Sequence, residues 1–143
     1  MVDKEKLKKA FGKATKGILN ALPMLIGVVL VVGLFKSFVT KEMLSSVFTG
    51  AMISDTFIGA LIGSISAGNP ITSYIIGGEL LKEGVSLFAV TAFIVTWVTV
   101  GMIQFPAEAK FFGKKFATLR NGISFILALI LSIIVVFLLG VVT

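Results

Sequence analysis

Long apolar runs separated by short polar stretches dominate the sequence. A helix needs about 20 residues, at ~1.5 Å each, to cross the ~30 Å hydrocarbon layer of a membrane. Four runs meet or approach that length, at residues 17–39, 43–65, 85–104 and 122–142, and a shorter apolar piece lies at 71–81. The pattern predicts an all-α integral membrane protein. We expect a helical bundle of four full transmembrane helices plus a broken or half helix, or about five membrane segments.

Composition agrees with a membrane location. Hydrophobic residues make up 57% of the 143 residues and charged residues 14%, whereas a soluble domain is about half apolar and a quarter charged. The chain has no cysteine and no histidine. Disulfides, thiolate or histidine metal sites, and Ser-His or Cys-His catalysis therefore lack their reagents. We expect no enzyme, no metal site and no cofactor.

Two basic segments accompany the apolar runs. Residues 1–16 form a basic tail with an amphipathic pattern, although a solvated tail fits the pattern equally well. Residues 17–143 then form a single transmembrane helical domain. Its first run is predicted to be a retained span rather than a signal peptide, because no small-residue cleavage site follows it. The basic loop at 105–121 has Phe112 and Phe116 at helical spacing, which predicts an interfacial helix.

Basic residues also favour one threading of the chain, since they prefer the cytoplasmic side. The net charge is +6, and the bases cluster beside apolar segments, which favours anionic lipid over nucleic acid as a partner. If the piece after Pro70 crosses the membrane, ten Lys and Arg lie on one side and three on the other. If it folds back as a re-entrant hairpin, the division is seven to six. We favour five segments in the inner or plasma membrane, with a cytoplasmic N-terminus.

The stretch SAGNP at residues 66–70 interrupts the apolar pattern most sharply. Asn69 and Pro70 are residue types typical of a helix cap and a first helical position. A broken backbone within a membrane survives only where protein, water or a ligand covers its polar groups. The start of the following helix favours an anionic or strongly polar partner. We predict a substrate-binding site formed by Asn69, Pro70, Thr72, Ser73 and Tyr74.

Two acids are candidates for proton or ion coupling. Asp55 falls in the middle of the second run, where a charge costs roughly 2.5 to 3.5 kcal/mol. Glu79 follows the break by about three helical turns. The alternatives are that Asp55 bonds a nearby Ser or Thr in ordinary helix packing, and that Glu79, beside Lys82 and Glu83, marks the water boundary.

Small residues share a helical stripe with Asp55. Gly59, Gly63 and Ser66 follow it by four, eight and eleven residues. A Gly-x-x-x-Gly spacing lets another backbone approach closely, so we predict that this stripe packs against a neighbouring helix or forms a dimer contact. Trp97 lies deep in the third run and is predicted to face protein or a cavity.

Two segments carry a family resemblance. GNPITSYIIGGELL and PAEAKFFGKKFA, within residues 55–121, resemble predicted permeases of the ArsP/YraQ type, especially their short, half-length bacterial and archaeal members. The resemblance implies an inner-membrane permease that dimerises, because longer members look like two such units in one chain. Some longer relatives export organoarsenicals and carry cysteines near the matching turn. This chain has Gly68-Asn69-Pro70 there and no thiol, so an arsenic substrate is not expected.

The leading functional prediction is a small permease or secondary-transporter half-unit. It would move a small polar or anionic solute and work as a homodimer in the lipid bilayer. The alternative is a non-transporting accessory or scaffold membrane subunit. An intramembrane protease is disfavoured, because a serine enzyme here would lack its histidine and an aspartyl enzyme needs two facing acids.

Overall fold

The computed structural model describes residues 4–66 and 68–142, without the side chains of Phe35 and Val142. Within those residues the chain is all-helical, as predicted. The helices in chain order are α1 (Lys4–Phe38), α2 (Lys41–Val47), α3 (Met52–Ile65), α4 (Pro70–Lys82), α5 (Leu87–Thr99), α6 (Phe105–Phe112) and α7 (Lys114–Val142).

Among the described residues, two helices, α1 and α7, are long and apolar enough to cross a membrane, which is compatible with a membrane protein. A third span is obtained if α2 and α3, bent by 110° at their junction, are counted together. The prediction of four full transmembrane helices is therefore wrong. The second apolar run divides between α2 and α3, and the third forms α5. α3 has 14 residues and α5 has 13, so each is only ~20 Å long against ~30 Å of hydrocarbon.

The second run breaks because its own acid takes the backbone donors that would continue the helix. The N–H groups of Thr49 and Gly50 donate to the two carboxylate oxygens of Asp55, each at 3.1 Å. Gly50 has φ +82°, a backbone conformation that glycine adopts without steric cost. The chain thus leaves α2 at Val47 and begins α3 at Met52 in a new direction.

The third run ends earlier than predicted for a similar reason. The N–H of Gly101, which would continue α5, donates instead to Oδ1 of Asn121 at 2.9 Å. α5 therefore ends at Thr99, and residues 102–104 form a turn before α6.

The basic loop at 105–121 is helical in two pieces. α6 ends at Phe112, and Gly113, with φ +90°, separates it from α7. Residues 114–121 are the first two turns of α7 rather than a loop. Phe112 and Phe116 pack across the junction with ring centroids 5.5 Å apart.

The chain divides into two compact units. The first is α1, in which the basic tail and the first apolar run form one continuous helix of 35 residues. Pro23 therefore lies inside this helix rather than in its first turns, where its ring removes one backbone hydrogen bond.

The second unit, α2 to α7, is built around α5. Asp55 at the start of α3 contacts Ser86 at the start of α5, while Gly63 lies against Phe93 and Thr96 further along. The two helices are therefore parallel.

α4 runs opposite to α5, because Gly77 faces Val90 and Ile94 while Gly68 lies beside Trp97. α7 is also antiparallel to α5, because Phe88 at the start of α5 meets Phe137 near the end of α7.

The directions of α3, α4 and α5 place two bases at one end of this unit. Lys41 lies 3.9 Å from Glu83, the residue after Lys82. The favoured threading requires Lys41 and Lys82 at a common end. α3, α4 and α5 are each too short to complete a crossing alone, so the sidedness of Lys82 stays a prediction.

Candidate functional site

The candidate site begins at the interruption between α3 and α4. α3 ends at Ile65 and α4 starts at Pro70, so the predicted break and its position are confirmed. Asn69 is the N-cap: its Oδ1 accepts from the N–H of Ile71 at 2.9 Å, and Pro70 occupies the first turn. Proline has no N–H to satisfy there and its fixed φ suits the helix start. The cap therefore fixes where α4 begins.

Trp97 of α5 ties down the interrupted backbone. Its indole N–H donates to the carbonyl oxygen of Gly68 at 3.3 Å, and its ring packs edge-on against Phe93 at 5.2 Å between centroids. Gly68 has φ +152°, and a Cβ there would lie 3.1 Å from the Trp97 ring. Trp97 thus satisfies a carbonyl that no helix can satisfy, and the predicted protein-facing role of this residue is observed.

The residues after the break divide into a buried and an exposed set. Ser73 is fully buried, and its hydroxyl donates to the carbonyl of Pro70 at 2.7 Å. Thr72 is half-buried, and its N–H donates to the carbonyl of Asn69 at 2.9 Å. Tyr74 is 62% exposed, and Asn69 and Pro70 are also exposed. Asn69, Pro70 and Tyr74 therefore form the accessible part of the predicted site, whereas Ser73 is held within α4.

Asp55 lies at the opposite end of α3 from the break. It is fully buried in the first turn of the helix, not mid-way along a straight span. Besides the N–H groups of Thr49 and Gly50, its carboxylate accepts from the hydroxyl of Ser86. Three donors satisfy a buried carboxylate whose charge would otherwise be costly. This matches the packing alternative, in which the acid bonds a nearby serine.

Glu79 lies near the far end of α4. It is half-buried and pairs with Lys82 at 2.8 Å one turn later. The neighbouring Glu83 makes the ion pair with Lys41. Glu79 thus belongs to a charged end of the second unit, about three helical turns from the break at Asn69.

The small-residue stripe is in use inside the chain. A Cβ on Gly59 would overlap the backbone of Ala89, and one on Gly63 would overlap the Thr96 hydroxyl and the Phe93 carbonyl. Ser66 follows the end of α3, and its hydroxyl donates to the carbonyl of Ile62 at 2.7 Å. Gly59 and Gly63 therefore let α3 and α5 pack backbone to backbone, and they face a helix of the same chain. The dimer contact remains a prediction, and Gly59 and Gly63 do not form it because both pack against α5.

Sequence reasoning missed a polar network between α6 and α7. Glu108 pairs with Arg120 at 3.0 Å and accepts from the Asn121 amide at 3.2 Å, while Asn121 Oδ1 accepts from Gly101. It also missed Ser86, the N-cap of α5, whose hydroxyl accepts from the N–H of Ala89 at 3.3 Å. A serine directly before an apolar run, as Ser86 is before Leu87, is a readable capping signal. Nothing comparable marks Asn121.

A cavity of about 380 Å³ lies beside this network. Its lining is mostly apolar, and its polar members are Ser64, Thr118 and Asn121. The hydroxyls of Ser64 and Thr118 donate to carbonyls of their own helices, and the Asn121 amide bonds Gly101 and Glu108. These groups are committed to the fold, so the cavity is a poorer candidate for a polar solute than the break.

Comparison with known proteins gives no relative. No family model, curated protein or solved structure matches the chain. We therefore infer function from the residues and their geometry.

Proposed function

We propose that this protein is a small membrane permease, a secondary-transporter half-unit that moves a small polar or anionic solute as a homodimer. The observation that carries the proposal is the interruption between α3 and α4. It leaves Asn69, Pro70 and Tyr74 exposed around a helix start in an apolar chain. Secondary transporters use such discontinuous helices, whose positive N-terminal ends face the solute.

The accessible groups suit a polar solute. The Asn69 amide and the Tyr74 hydroxyl can each donate and accept hydrogen bonds, and both residues are exposed. A second copy of the chain placed over this face would complete an enclosed site, which is why we propose a homodimer. The resemblance to permeases of the ArsP/YraQ type, located in the inner membrane, is part of the same proposal.

Of the two predicted coupling acids, Glu79 is the better proposal. Asp55 is fully buried and held by three donors in a closed turn, an arrangement that supports a fixed structural carboxylate. Glu79 is half-buried on the same helix as the proposed solute site. A half-buried carboxylate there can exchange a proton with water, and it lies on the helix that begins at the proposed solute site.

Uptake by proteoliposomes tests the proposal. Vesicles containing the parent chain would be assayed with labelled phosphate, sulfate and acetate, with and without a pH gradient, beside protein-free vesicles. We expect uptake of at least one anion, and Asn69→Ala to reduce it on the order of tenfold, the effect of one lost hydrogen bond to a charged solute. Asn20→Ala, at an exposed position of α1, is the matched control. Equal rates in the two variants would contradict a role for Asn69.

A second candidate is a non-transporting accessory subunit. It is favoured by the way Asp55 and Ser73 are both satisfied within the chain, as a purely structural protein requires. Purification in mild detergent separates the two proposals. A stable self-dimer with a water-filled space between subunits supports transport, whereas a monomer that binds a larger membrane partner through its apolar surface supports the accessory role.

A further inference from the structure

The first turns of α7 carry a groove with two chemically different ends. Its volume is about 670 Å³. Lys114, Lys115 and Thr118 line the end at the start of the helix, and Leu119, Gly122 and Ile126 line the part that continues into the apolar run. Gly122 forms the depression, because no side chain projects there and a Cβ would meet nothing within 4 Å. The groove is therefore basic at one end and apolar along the rest.

The groove runs from a basic end to an apolar part along α7, as a membrane lipid runs from its headgroup to its acyl chains. α7 is one of the two helices long and apolar enough to cross a membrane, and its charged residues are at its beginning. From Lys115 to Ile126 the helix rises ~17 Å, close to the ~15 Å thickness of one hydrocarbon leaflet. A headgroup at the lysines would thus place an acyl chain along Leu119, Gly122 and Ile126.

Charge selects the kind of lipid. Residues 105–121 contain four basic residues and one acid, for a net charge of +3, and that acid, Glu108, is paired with Arg120. Lys114 and Lys115 are exposed. Lysines beside a membrane span attract anionic lipid headgroups. Phe111 and Phe112, 79% and 69% exposed, directly precede Gly113 and Lys114 in the sequence, and aromatic rings are favoured at a membrane interface.

We propose that this groove binds one anionic phospholipid of the surrounding bilayer. Its phosphate contacts Lys114 and Lys115, and one acyl chain lies over Gly122. The site is distinct from the break between α3 and α4, so it does not depend on the proposed transport function.

Native mass spectrometry of the full chain in detergent tests the proposal, with dioleoyl-phosphatidylglycerol or dioleoyl-phosphatidylcholine added at equal concentration. We expect the parent to retain phosphatidylglycerol about thirtyfold more than phosphatidylcholine, the preference that two lysines near an anionic surface supply. Lys114→Gln/Lys115→Gln should lose that preference. Gly122→Leu, which fills the groove where the space is open, should reduce retention of both lipids while keeping the charge.

The matched control is Lys6→Gln/Lys8→Gln, which removes the same charge from exposed positions of α1. The proposal predicts that this variant behaves as the parent. It is overturned if the control loses the preference as fully as the groove variant, since net charge alone would then explain retention. It is equally overturned if Gly122→Leu retains both lipids at the parent level.

Discussion

Trp97 donates its indole N–H to the carbonyl oxygen of Gly68, 29 residues earlier, at 3.3 Å. This bond connects the last turns of α5 to the interruption before α4. An unpaired carbonyl at such a break is costly away from water, and a bulky aromatic donor satisfies it while covering one side. The interruption therefore has a defined geometry, which Trp97 from another helix stabilises.

Removing this bond should loosen the break. Trp97→Phe keeps an aromatic ring against Phe93 but lacks the N–H, so the Gly68 carbonyl loses its partner. We expect a loss of about 1 kcal/mol in the free energy of unfolding, measured by thermal circular dichroism in detergent. Phe111→Leu, at a 79% exposed position, is the control and should change little. Equal losses in both variants would mean that the hydrogen bond contributes nothing specific.

The buried carboxylate of Asp55 should stabilise the fold, because it bonds both the turn before α3 and Ser86 at the start of α5. Asp55→Asn places an amide donor towards the N–H groups of Thr49 and Gly50 or the Ser86 hydroxyl, so at least one buried pair becomes unsatisfied. We expect a loss of about 2 to 3 kcal/mol. Ser86→Ala removes one partner and should cost about 1 kcal/mol. Because the two residues are in contact, the double variant should be less destabilised than the two single losses together. Strict additivity would contradict the contact.

The close approach of α3 and α5 should tolerate no side chain at Gly59. A Cβ there overlaps the backbone of Ala89, which cannot move without separating the helices. We expect Gly59→Ala to lower the free energy of unfolding by roughly 1 to 3 kcal/mol. Gly78→Ala is the matched control, because a Cβ at Gly78 meets nothing within 4 Å and alanine favours helix by up to about 1 kcal/mol. Similar melting of the two variants would contradict this packing.

Trp97 is also a natural probe of the proposed site. It is the chain's single tryptophan, so intrinsic fluorescence comes from beside the break. We expect the solute that the proteoliposomes take up to change the emission intensity or maximum in a saturable way. Asn69→Ala should weaken this response, and Asn20→Ala should preserve it. A saturable uptake without any change in emission would place the solute elsewhere.

The break itself could be predicted because it depends on local chemistry. Gly68, Asn69 and Pro70 are adjacent in sequence, and each restricts or caps the backbone in a known way. The helical class and the two longest spans follow from apolar run length, which needs no tertiary information. The permease function remains a proposal, since no contact in a single chain identifies a solute.

The lengths of α3 and α5 could not be predicted because side chains distant in sequence end them. Asn121, 20 residues away, accepts a hydrogen bond from the N–H of Gly101, and no periodic pattern in the sequence predicts that bond. Asp55 takes the N–H groups of Thr49 and Gly50, which turns an apparently continuous run into two helices. The spacing of the glycines in α3 predicts a packing surface, but only the fold identifies α5 as its partner.

The most direct test of the central claim, that the interruption at Asn69 is the solute site, uses a single cysteine. The native chain has none, so Asn69→Cys introduces one thiol beside the break. Anion uptake by proteoliposomes would be measured before and after treatment with a charged, membrane-impermeant thiol reagent, with Ser46→Cys, exposed on α2, as control. The account predicts that modification blocks the residual uptake of the Asn69→Cys protein, about a tenth of the parent rate, and leaves the control active. Undiminished uptake by a fully modified Asn69→Cys protein would contradict it.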